Sequence, residues 1–156
     1  MQKVIKTDLG EINRLNEYED VYKFLDFGSD FGELHYGFPI NIESLRSFYS
    51  NPASFSQCLV YGYFDNCKNL KSAIWYNKDY DPRVNKKLLT EFLWLSKDPK
   101  YSIRLLSESL DHINLYYKYD ALIMGNVTLS KKLDSFYVKK GFTLDSKSYY
   151  KKFPIH

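Results

Sequence analysis

Glu91 is the side chain of this 156-residue sequence whose surroundings most directly suggest acid–base chemistry. It lies within residues 87–96, the most apolar strand candidate, where it is expected to alternate with Leu93 and Leu95. The pKa of a carboxyl group among apolar side chains rises unless the group is paired, and such a carboxylate can take a proton from an ammonium substrate, directly or through water. A second interpretation places Glu91 at the exposed start of the strand, paired with Lys71 or another neighbour.

Cysteine and histidine, which often carry chemistry, show no arrangement that predicts a site. Cys58 and Cys67 flank the turn of a predicted hairpin, and nothing in their positions requires a disulfide. His35, His112 and His156 are far apart and do not have the spacing of metal ligands. The sequence therefore predicts no bound metal.

The composition is that of one folded domain that spans residues 1–156. Hydrophobic residues make up 44% and charged residues 26%, as in ordinary globular proteins with a substantial core. The net charge of +3 is too small to indicate nucleic-acid binding by itself. Lysines are interleaved with tyrosines, however, and this leaves a nucleic-acid partner or a modified-base substrate as a weak hypothesis.

The start of the sequence, Met-Gln-Lys-Val-Ile-Lys-Thr, lacks the apolar core of a signal peptide. The sequence also contains no run of ~18 apolar residues, which a membrane-spanning helix would need. We therefore expect a cytoplasmic protein without a membrane span.

The segment over residues 130–142 predicts an amphipathic helix with a glycine stop. Leu133, Phe136 and Tyr137 recur at helical spacing and form one apolar stripe. Gly141 follows the last turn, at the C′ position where a positive φ is favoured, and the two preceding lysines suit the negative end of the helix dipole. Tyr137 is then either an ordinary interfacial aromatic residue or a functional side chain near the helix end.

The rest of the sequence predicts strands and helices in the order β-α-α-β-β-β-α-β-α-β. Helices are expected over residues 8–25, with Asp8 as the N-cap, over 42–49, with Asn41 as the N-cap, and over 101–116. Strands are expected over 2–7, 56–64, 70–77, 87–96, 121–125 and 143–153, and loops over 28–39 and 79–85. This order indicates an α/β fold with a mixed central sheet, residues 89–95 in its interior parallel to 121–125, and helices on both faces.

The run Phe136-Tyr-x-Lys-x-Gly-Phe142 at a helix end, followed by a strand with two tyrosines and a lysine, resembles the C-terminal motif of GNAT-type N-acetyltransferases. The predicted order of elements resembles the GNAT fold over nearly the whole chain. The resemblance implies that Tyr137 donates a proton to the departing thiolate of acetyl-CoA, since the pKa of tyrosine, ~10, is near that of the thiol. It also gives Glu91 the role of general base, and it places Ser130 where the family often has an asparagine beside the pantetheine arm.

The same resemblance implies that backbone amides of the loop after the central strand, and of the next helix, bind the CoA pyrophosphate. The residues implied in cofactor binding are Leu93, Trp94, Leu95, Lys97, Lys100, Tyr101, Ser102, Ile103, Arg104 and Ser130. In the family pattern Arg/Gln-x-x-Gly-x-Gly/Ala, Lys97 takes the basic position, but Lys100 and Ser102 replace both glycines. Lys97, Lys100 and Arg104 would supply compensating charge; otherwise the segment is a plain turn and CoA binding is weakened or lost.

The resemblance further places an acceptor site in the loop over residues 28–39. Phe31, His35, Tyr36 and Phe38 would form an aromatic pocket there, and aromatic rings stack well on sugars, bases or amines. His35 would be either a second base or an exposed loop histidine.

The implied function is direct transfer of an acetyl group from acetyl-CoA to a primary amine, small or macromolecular, in a ternary complex. The alternative is a GNAT-like binding or structural module that has lost its cofactor, as the missing glycines suggest. Exposed strand edges in such folds also make a homodimer an expectation.

Overall fold

The structure of the protein is a computed structural model that describes residues 4–16, 18–29, 34–35, 37–125, 131–145, 149 and 151–154. At residues 18, 19, 21, 29, 34 and 35 it describes the backbone alone.

The described residues form strands and helices between Val4 and Lys139. The strands are β1 (Val4–Thr7), β2 (Gly10–Leu15), β3 (Leu34–His35), β4 (Phe38–Pro39), β5 (Cys58–Asp65), β6 (Leu70–Asp81), β7 (Lys86–Ser96) and β8 (Ala121–Ile123). The helices are α1 (Tyr18–Ser29), α2 (Ile42–Tyr49), α3 (Pro52–Phe55), α4 (Pro99–Tyr116) and α5 (Lys131–Lys139).

One six-stranded sheet has the order β1-β2-β5-β6-β7-β8, and β3 and β4 form a separate hairpin. All neighbours in the large sheet are antiparallel except β7 and β8, which run parallel and are connected through α4. A parallel pair needs such a crossover connection. The prediction of a mixed sheet, with residues 89–95 in its interior and parallel to the strand at 121, is therefore confirmed, although β8 ends at Ile123.

Apolar side chains fill both faces of the sheet, so helices cover both faces as predicted. Ile74 belongs to the core cluster under α4 and α5, whereas its neighbour Trp75 belongs to the cluster under α1 and α2. Trp75 is fully buried, and its ring centroid lies 5.4 Å from that of Phe24 and 4.4 Å from that of Tyr49. The alternation of side chains along β6 thus ties both helical layers to one strand.

The predicted helix over residues 8–25 is wrong in its first half, which forms strand β2. Ile12 and Leu15 have the three-residue spacing of a helix face, but β2 pairs with β1 on one side and β5 on the other. Gly10 allows this pairing, because its φ is +145° and a Cβ there would lie 2.0 Å from the carbonyl oxygen of Phe64. Cross-strand pairing therefore overrides the helical spacing, and α1 begins only after β2.

The loop predicted over residues 79–85 is shorter than expected. β6 continues to Asp81 and β7 begins at Lys86, so a short turn joins them. Asn85 closes this turn with a φ of +53°, a conformation that asparagine tolerates. The loop predicted over residues 28–39 likewise contains the end of α1 and the β3–β4 hairpin.

The strand predicted over residues 143–153 is wrong for the part that the structure describes, which is 143–145, 149 and 151–153. None of these residues is in a strand, and Leu144, Tyr149 and Phe153 are 80%, 91% and 74% exposed. A strand is stabilised by cross-strand pairs and by burial of one face, and the described part of this segment has neither. The remaining residues of the predicted strand lie outside the described residues.

Helix α5 ends in a Schellman motif that fixes Tyr137 at its last turn. Gly141 has a φ of +86°, as predicted for the C′ residue, and its N–H donates to the carbonyl of Val138 at 3.1 Å. The N–H of Phe142 donates to the carbonyl of Tyr137 at 2.9 Å, and the two rings lie 5.2 Å apart. Both hydrogen bonds and the apolar contact are those of the motif, so the glycine stop also positions the tyrosine.

Replacing Gly141 by valine is expected to lower the free energy of unfolding by about 1 kcal/mol or more, because a β-branched residue is strained at positive φ. No described atom lies within 4 Å of the added Cβ, so conformational strain rather than a clash is the cause. Gly141→Asn is the matched control and should cost less, since asparagine tolerates this conformation. Urea unfolding measures both variants, and a valine variant as stable as the wild type would contradict the assignment.

Buried tyrosine hydroxyls couple the stability of this fold to pH. Loss of solvation raises the pKa of Tyr61 and of Tyr76 well above the usual value near 10. Folding then favours the protonated phenol. This stabilisation is complete below the unfolded-state pKa of about 10 and is lost as the pH rises through the folded-state pKa. The free energy of unfolding should therefore fall with pH above ~10.

Tyr76→Phe is expected to make this alkaline fall less steep by up to about 1.4 kcal/mol per pH unit, because one such group is removed. The control is Tyr149→Phe, at a position that is 91% exposed, and it should keep the wild-type slope. Urea titrations at several pH values above ~10 give the slopes. Identical slopes for Tyr76→Phe and the wild type would show that the buried phenol is not responsible.

Candidate active site

The parallel strands β7 and β8 separate after three residue pairs, and this leaves one edge of β7 open. Pairing ends with Thr90 opposite Ile123, whereas β7 continues to Ser96. From Glu91 onwards, no strand among the described residues pairs with β7 on this side. The N–H and C=O groups of such an edge can bind an extended ligand as an added strand would bind.

A β-bulge at Phe92 changes which face each β7 side chain occupies beside this opening. Leu93 lies opposite Trp75 on β6. The next β6 residue, Tyr76, lies opposite Glu91, which leaves Phe92 without a partner. Leu93 is therefore in the core under α1 and α2, whereas Glu91 shares the other face with Tyr76. One inserted residue thus reverses the alternation, so Glu91 does not share the face of Leu93 as residues two apart on a regular strand would.

Glu91 and Tyr137, the two residues predicted to be catalytic, bind the same glycine. The N–H of Gly125 donates to Oε2 of Glu91 at 2.9 Å. The hydroxyl of Tyr137 donates to the carbonyl oxygen of Gly125, also at 2.9 Å. Gly125 follows β8, where the two strands have already separated, so a side-chain carboxylate continues the link between them. The structure thus brings a carboxylate and a phenol together beside the open edge.

Gly125 is a site residue that the sequence analysis missed. A Cβ at this position would lie 3.2 Å from Oε2 of Glu91, so the glycine permits the close approach of the carboxylate. The only sequence signal is a glycine at the end of an apolar strand. Lys71, one of the partners suggested for Glu91, has its ammonium 3.8 Å from Oδ2 of Asp65.

The protonation of Tyr137 differs from the expectation of a pKa matched to a thiol. Burial, and then the negative charges of Glu91 and Asp134, raise the pKa of Tyr137 well above 10. The phenol therefore stays protonated at physiological pH, and it can donate a hydrogen bond to a developing negative charge.

The loop between β7 and α4 is predicted to bind pyrophosphate, but its amides at Lys97, Lys100 and Tyr101 already donate hydrogen bonds within the protein. Asp98 is the N-cap of α4: its Oδ1 accepts from the N–H of Lys100 at 3.1 Å, and its carbonyl accepts from that of Tyr101 at 3.1 Å. The N–H of Lys97 donates to a carbonyl of β6 at 2.9 Å, and Pro99 has no N–H. Aspartate followed by proline at N1 is a sequence signal for a capped helix start, which would have identified this arrangement.

The basic side chains predicted to bind phosphates already have partners within the protein. The ammonium of Lys100 lies 3.7 Å from Oδ2 of Asp98. Arg104 forms an ion pair with Asp8, and the ammonium of Lys97 lies 4.8 Å from the centroid of an aromatic ring of α1. A phosphate at this loop would have to compete with these contacts.

The other residues predicted to bind the cofactor mainly build the fold. Tyr101 is buried, and its ring meets that of Tyr63 edge to face with centroids 4.9 Å apart. Leu93 and Leu95 are buried in the core, so only their backbone groups are available at the open edge. The partly or more fully exposed members of this set are Trp94, Ser102 and Ile103.

Most of the predicted acceptor site is not covered by the described side chains. Phe38 in β4 is 56% exposed, and the ammonium of Lys152 lies 4.7 Å from its ring centroid. His35 is described as backbone of β3 alone. Outside the described residues lie Phe31, Tyr36 and Ser130.

Neither a membrane span nor a metal centre is present among the described residues. None of their helices has the length and hydropathy needed to cross a membrane. They also contain no group of three histidine, cysteine or acidic residues that could hold a metal ion.

Comparison with known proteins reveals similarity in structure but not in sequence. No family model matches this chain, and no curated protein matches it. A possible acetyltransferase from Clostridium difficile 630 is 13% identical with a TM-score of 0.67, over 96% of this chain and 100% of that one. A GNAT family acetyltransferase from Staphylococcus aureus is 11% identical with a TM-score of 0.61, over 97% and 100% of the chains.

A ribosomal-protein-alanine N-acetyltransferase from Brucella melitensis biovar Abortus is similar as well, at 11% identity and a TM-score of 0.65. That match covers 91% of this chain and 99% of the other. Identities this low show a common fold and nothing finer. Over nearly its whole length, this chain therefore has the fold of the GNAT-type acetyltransferases.

Proposed function

We propose that this protein is an N-acetyltransferase that moves an acetyl group from acetyl-CoA to a primary amine. The observation that carries the proposal is the attachment of Glu91 and Tyr137 to Gly125, beside the open edge of β7. Solved structures with the same fold are named acetyltransferases, which supports the reaction class. Function still has to be argued from the site, because one fold can serve many functions.

The open edge of β7 suits the pantetheine arm of acetyl-CoA. This arm is an extended chain with amide groups, so it can exchange hydrogen bonds with the backbone of residues 91–96 as an added strand would. The buried side chains of Leu93 and Leu95 keep this part of β7 in place while the edge stays available. Ser130 is proposed to add a hydrogen bond to the arm.

Glu91 is proposed to be the general base. It accepts a proton from the substrate ammonium, directly or through water, and so releases the lone pair that attacks the thioester carbonyl carbon. The C–N bond forms, the C–S bond breaks with its electron pair on sulfur, and the nitrogen loses its second proton to solvent. The acceptor is a small or macromolecular amine.

Tyr137 is proposed to assist the departure of the thiolate. Its raised pKa keeps the phenol protonated as charge develops on sulfur, so it stabilises that charge by hydrogen bonding. The departed thiolate then takes its proton from solvent. The products are the amide and the free thiol, and no covalent acyl-enzyme is needed.

A second candidate function, a GNAT-fold binding module without CoA, is favoured by the self-capped start of α4. Thermal unfolding with acetyl-CoA separates the two candidates. A ligand at 100 times its dissociation constant stabilises the fold by ~2.7 kcal/mol, which is a readily measured shift. A shift together with turnover of an amine supports the enzyme, whereas the absence of any shift supports the module.

Tyr137→Phe is expected to lower kcat by roughly 10- to 100-fold and to leave the affinity for acetyl-CoA nearly unchanged, because the hydroxyl acts as charge develops on sulfur. The phenyl ring keeps its contact with Phe142. Steady-state kinetics and calorimetric titration measure the two quantities, with Tyr149→Phe as the control at an exposed position. Equal turnover in Tyr137→Phe and the wild type would remove Tyr137 from the mechanism.

Glu91→Gln and Glu91→Ala are expected to distinguish two roles of this side chain: the general base and the hydrogen-bond acceptor for the Gly125 N–H. Glutamine keeps an oxygen that can accept from the Gly125 N–H but cannot act as the base, whereas alanine loses both functions. Both variants should lose kcat by roughly 100-fold or more. The affinity for acetyl-CoA should fall only in the alanine variant.

The dependence of kcat/KM on pH gives a second readout for these variants. Wild-type activity should fall at low pH as the base becomes protonated, and this acid limb should be absent in both variants. Wild-type turnover in Glu91→Gln would exclude Glu91 as the base. Equal acetyl-CoA affinity in the two variants would exclude a role for the Gly125 contact in binding.

A further inference from the structure

The carboxylate of Asp98, a residue of the protein itself, occupies the N-terminus of α4. A helix N-terminus attracts anions because its first amides are unpaired and the helix dipole is positive there. Here the Asp98 carboxylate accepts from the N–H of Lys100 at 3.1 Å, and its other oxygen lies 3.7 Å from the Lys100 ammonium. The hydroxyl of Ser96 also donates to the Asp98 carbonyl at 2.7 Å, which holds this residue in place.

The neighbouring amides are used as well, so a pyrophosphate group finds few donors in this loop. Lys97 and Tyr101 donate their N–H groups within the protein, and Pro99 has none. A pyrophosphate group is itself negative, so the Asp98 carboxylate repels it at close range. By contrast, no strand in the described part of the chain pairs with the β8-facing edge of β7 from Glu91 to Ser96, where an extended ligand can add as a strand.

We propose that Asp98 sets the specificity for the acyl donor, so that this chain recognises a pantetheine thioester by its arm and gains little affinity from the phosphates. This inference rests on the proposed function, since it concerns the donor of the same site. The donor class is then the acyl-pantetheine thioesters, of which acetyl-CoA is one member. Acetyl-pantetheine, which lacks the nucleotide and its phosphates, binds within about tenfold of acetyl-CoA, because most of the affinity comes from contacts that the two share.

Asp98→Asn tests the role of this carboxylate without removing the helix cap. Asparagine is as good an N-cap as aspartate, so the fold is retained while the negative charge is lost. Asp111→Asn is the matched control, because it removes a carboxylate from an exposed position further along the same helix. Melting temperatures of both variants near that of the wild type verify that the fold is intact.

The experiment measures the dissociation constants of acetyl-CoA and acetyl-pantetheine by calorimetry, for the wild type and both variants, at low and high salt. Asp98→Asn is expected to tighten acetyl-CoA binding by roughly 3- to 10-fold, more at low salt, and to leave acetyl-pantetheine unchanged. Asp111→Asn is expected to change neither constant.

Two results would overturn this inference and leave the proposed function standing. One is wild-type protein that binds acetyl-CoA more than about 100-fold more tightly than acetyl-pantetheine, which is the behaviour of a working phosphate site. The other is Asp98→Asn with unaltered acetyl-CoA affinity at both salt concentrations. Wild-type protein that binds neither donor would overturn the proposed function together with the inference.

Discussion

The parallel pairing of β7 with β8 ends after three residue pairs, and the proposed site depends on how the chain compensates for that end. Beyond the last pair, the backbone groups on the facing edges of the two strands lose their cross-strand partners, and side chains can bind them instead. At Gly125, the carboxylate of Glu91 takes the N–H and the phenol of Tyr137 takes the carbonyl. The two side chains that bind Gly125 beside the opening are therefore the ones that are proposed to do the chemistry.

Two irregular features of the backbone position the side chains of this arrangement. The Schellman motif at Gly141 fixes the last turn of α5, and with it the backbone of Tyr137. The bulge at Phe92 turns Glu91 towards the α4–α5 face while Leu93 stays buried on the other. Without the bulge, the regular alternation of β7 would place Glu91 and Leu93 on one face. Glu91 and Tyr137, which these two features position, are far apart in sequence, but both bind Gly125.

Local patterns were sufficient to predict the elements that build the sheet around the opening. The hairpin of β5 and β6, the apolar strand β7 and the glycine stop of α5 each have a signal within a few residues. Strand β2 was missed because Ile12 and Leu15 fit a helix equally well, and only the partner strands decide between the two. The strand predicted after Phe142 was wrong for the converse reason, since the aromatic residues in the described part of that segment have no partner strand.

The site was harder to predict than the fold, because its geometry depends on contacts between distant residues. Tyr137 and Glu91 were identified from their types and positions, but their common partner Gly125 belongs to neither segment. The bulge at Phe92 has no local sequence signature, so the face that Glu91 occupies could not be predicted from its spacing to the leucines. Asp98 and Pro99, an N-cap and a first-turn proline, would have predicted the capped start of α4. The resemblance to a phosphate loop instead led to the prediction of a pyrophosphate site there.

A crystal structure of the protein with acetyl-CoA is the most direct test of the proposed site. The predicted result is a pantetheine arm between β7 and β8, hydrogen-bonded to the backbone of residues 91–96, with the thioester sulfur beside the Tyr137 hydroxyl. An arm bound elsewhere on the protein, with this edge of β7 empty in the complex, would contradict the proposed site.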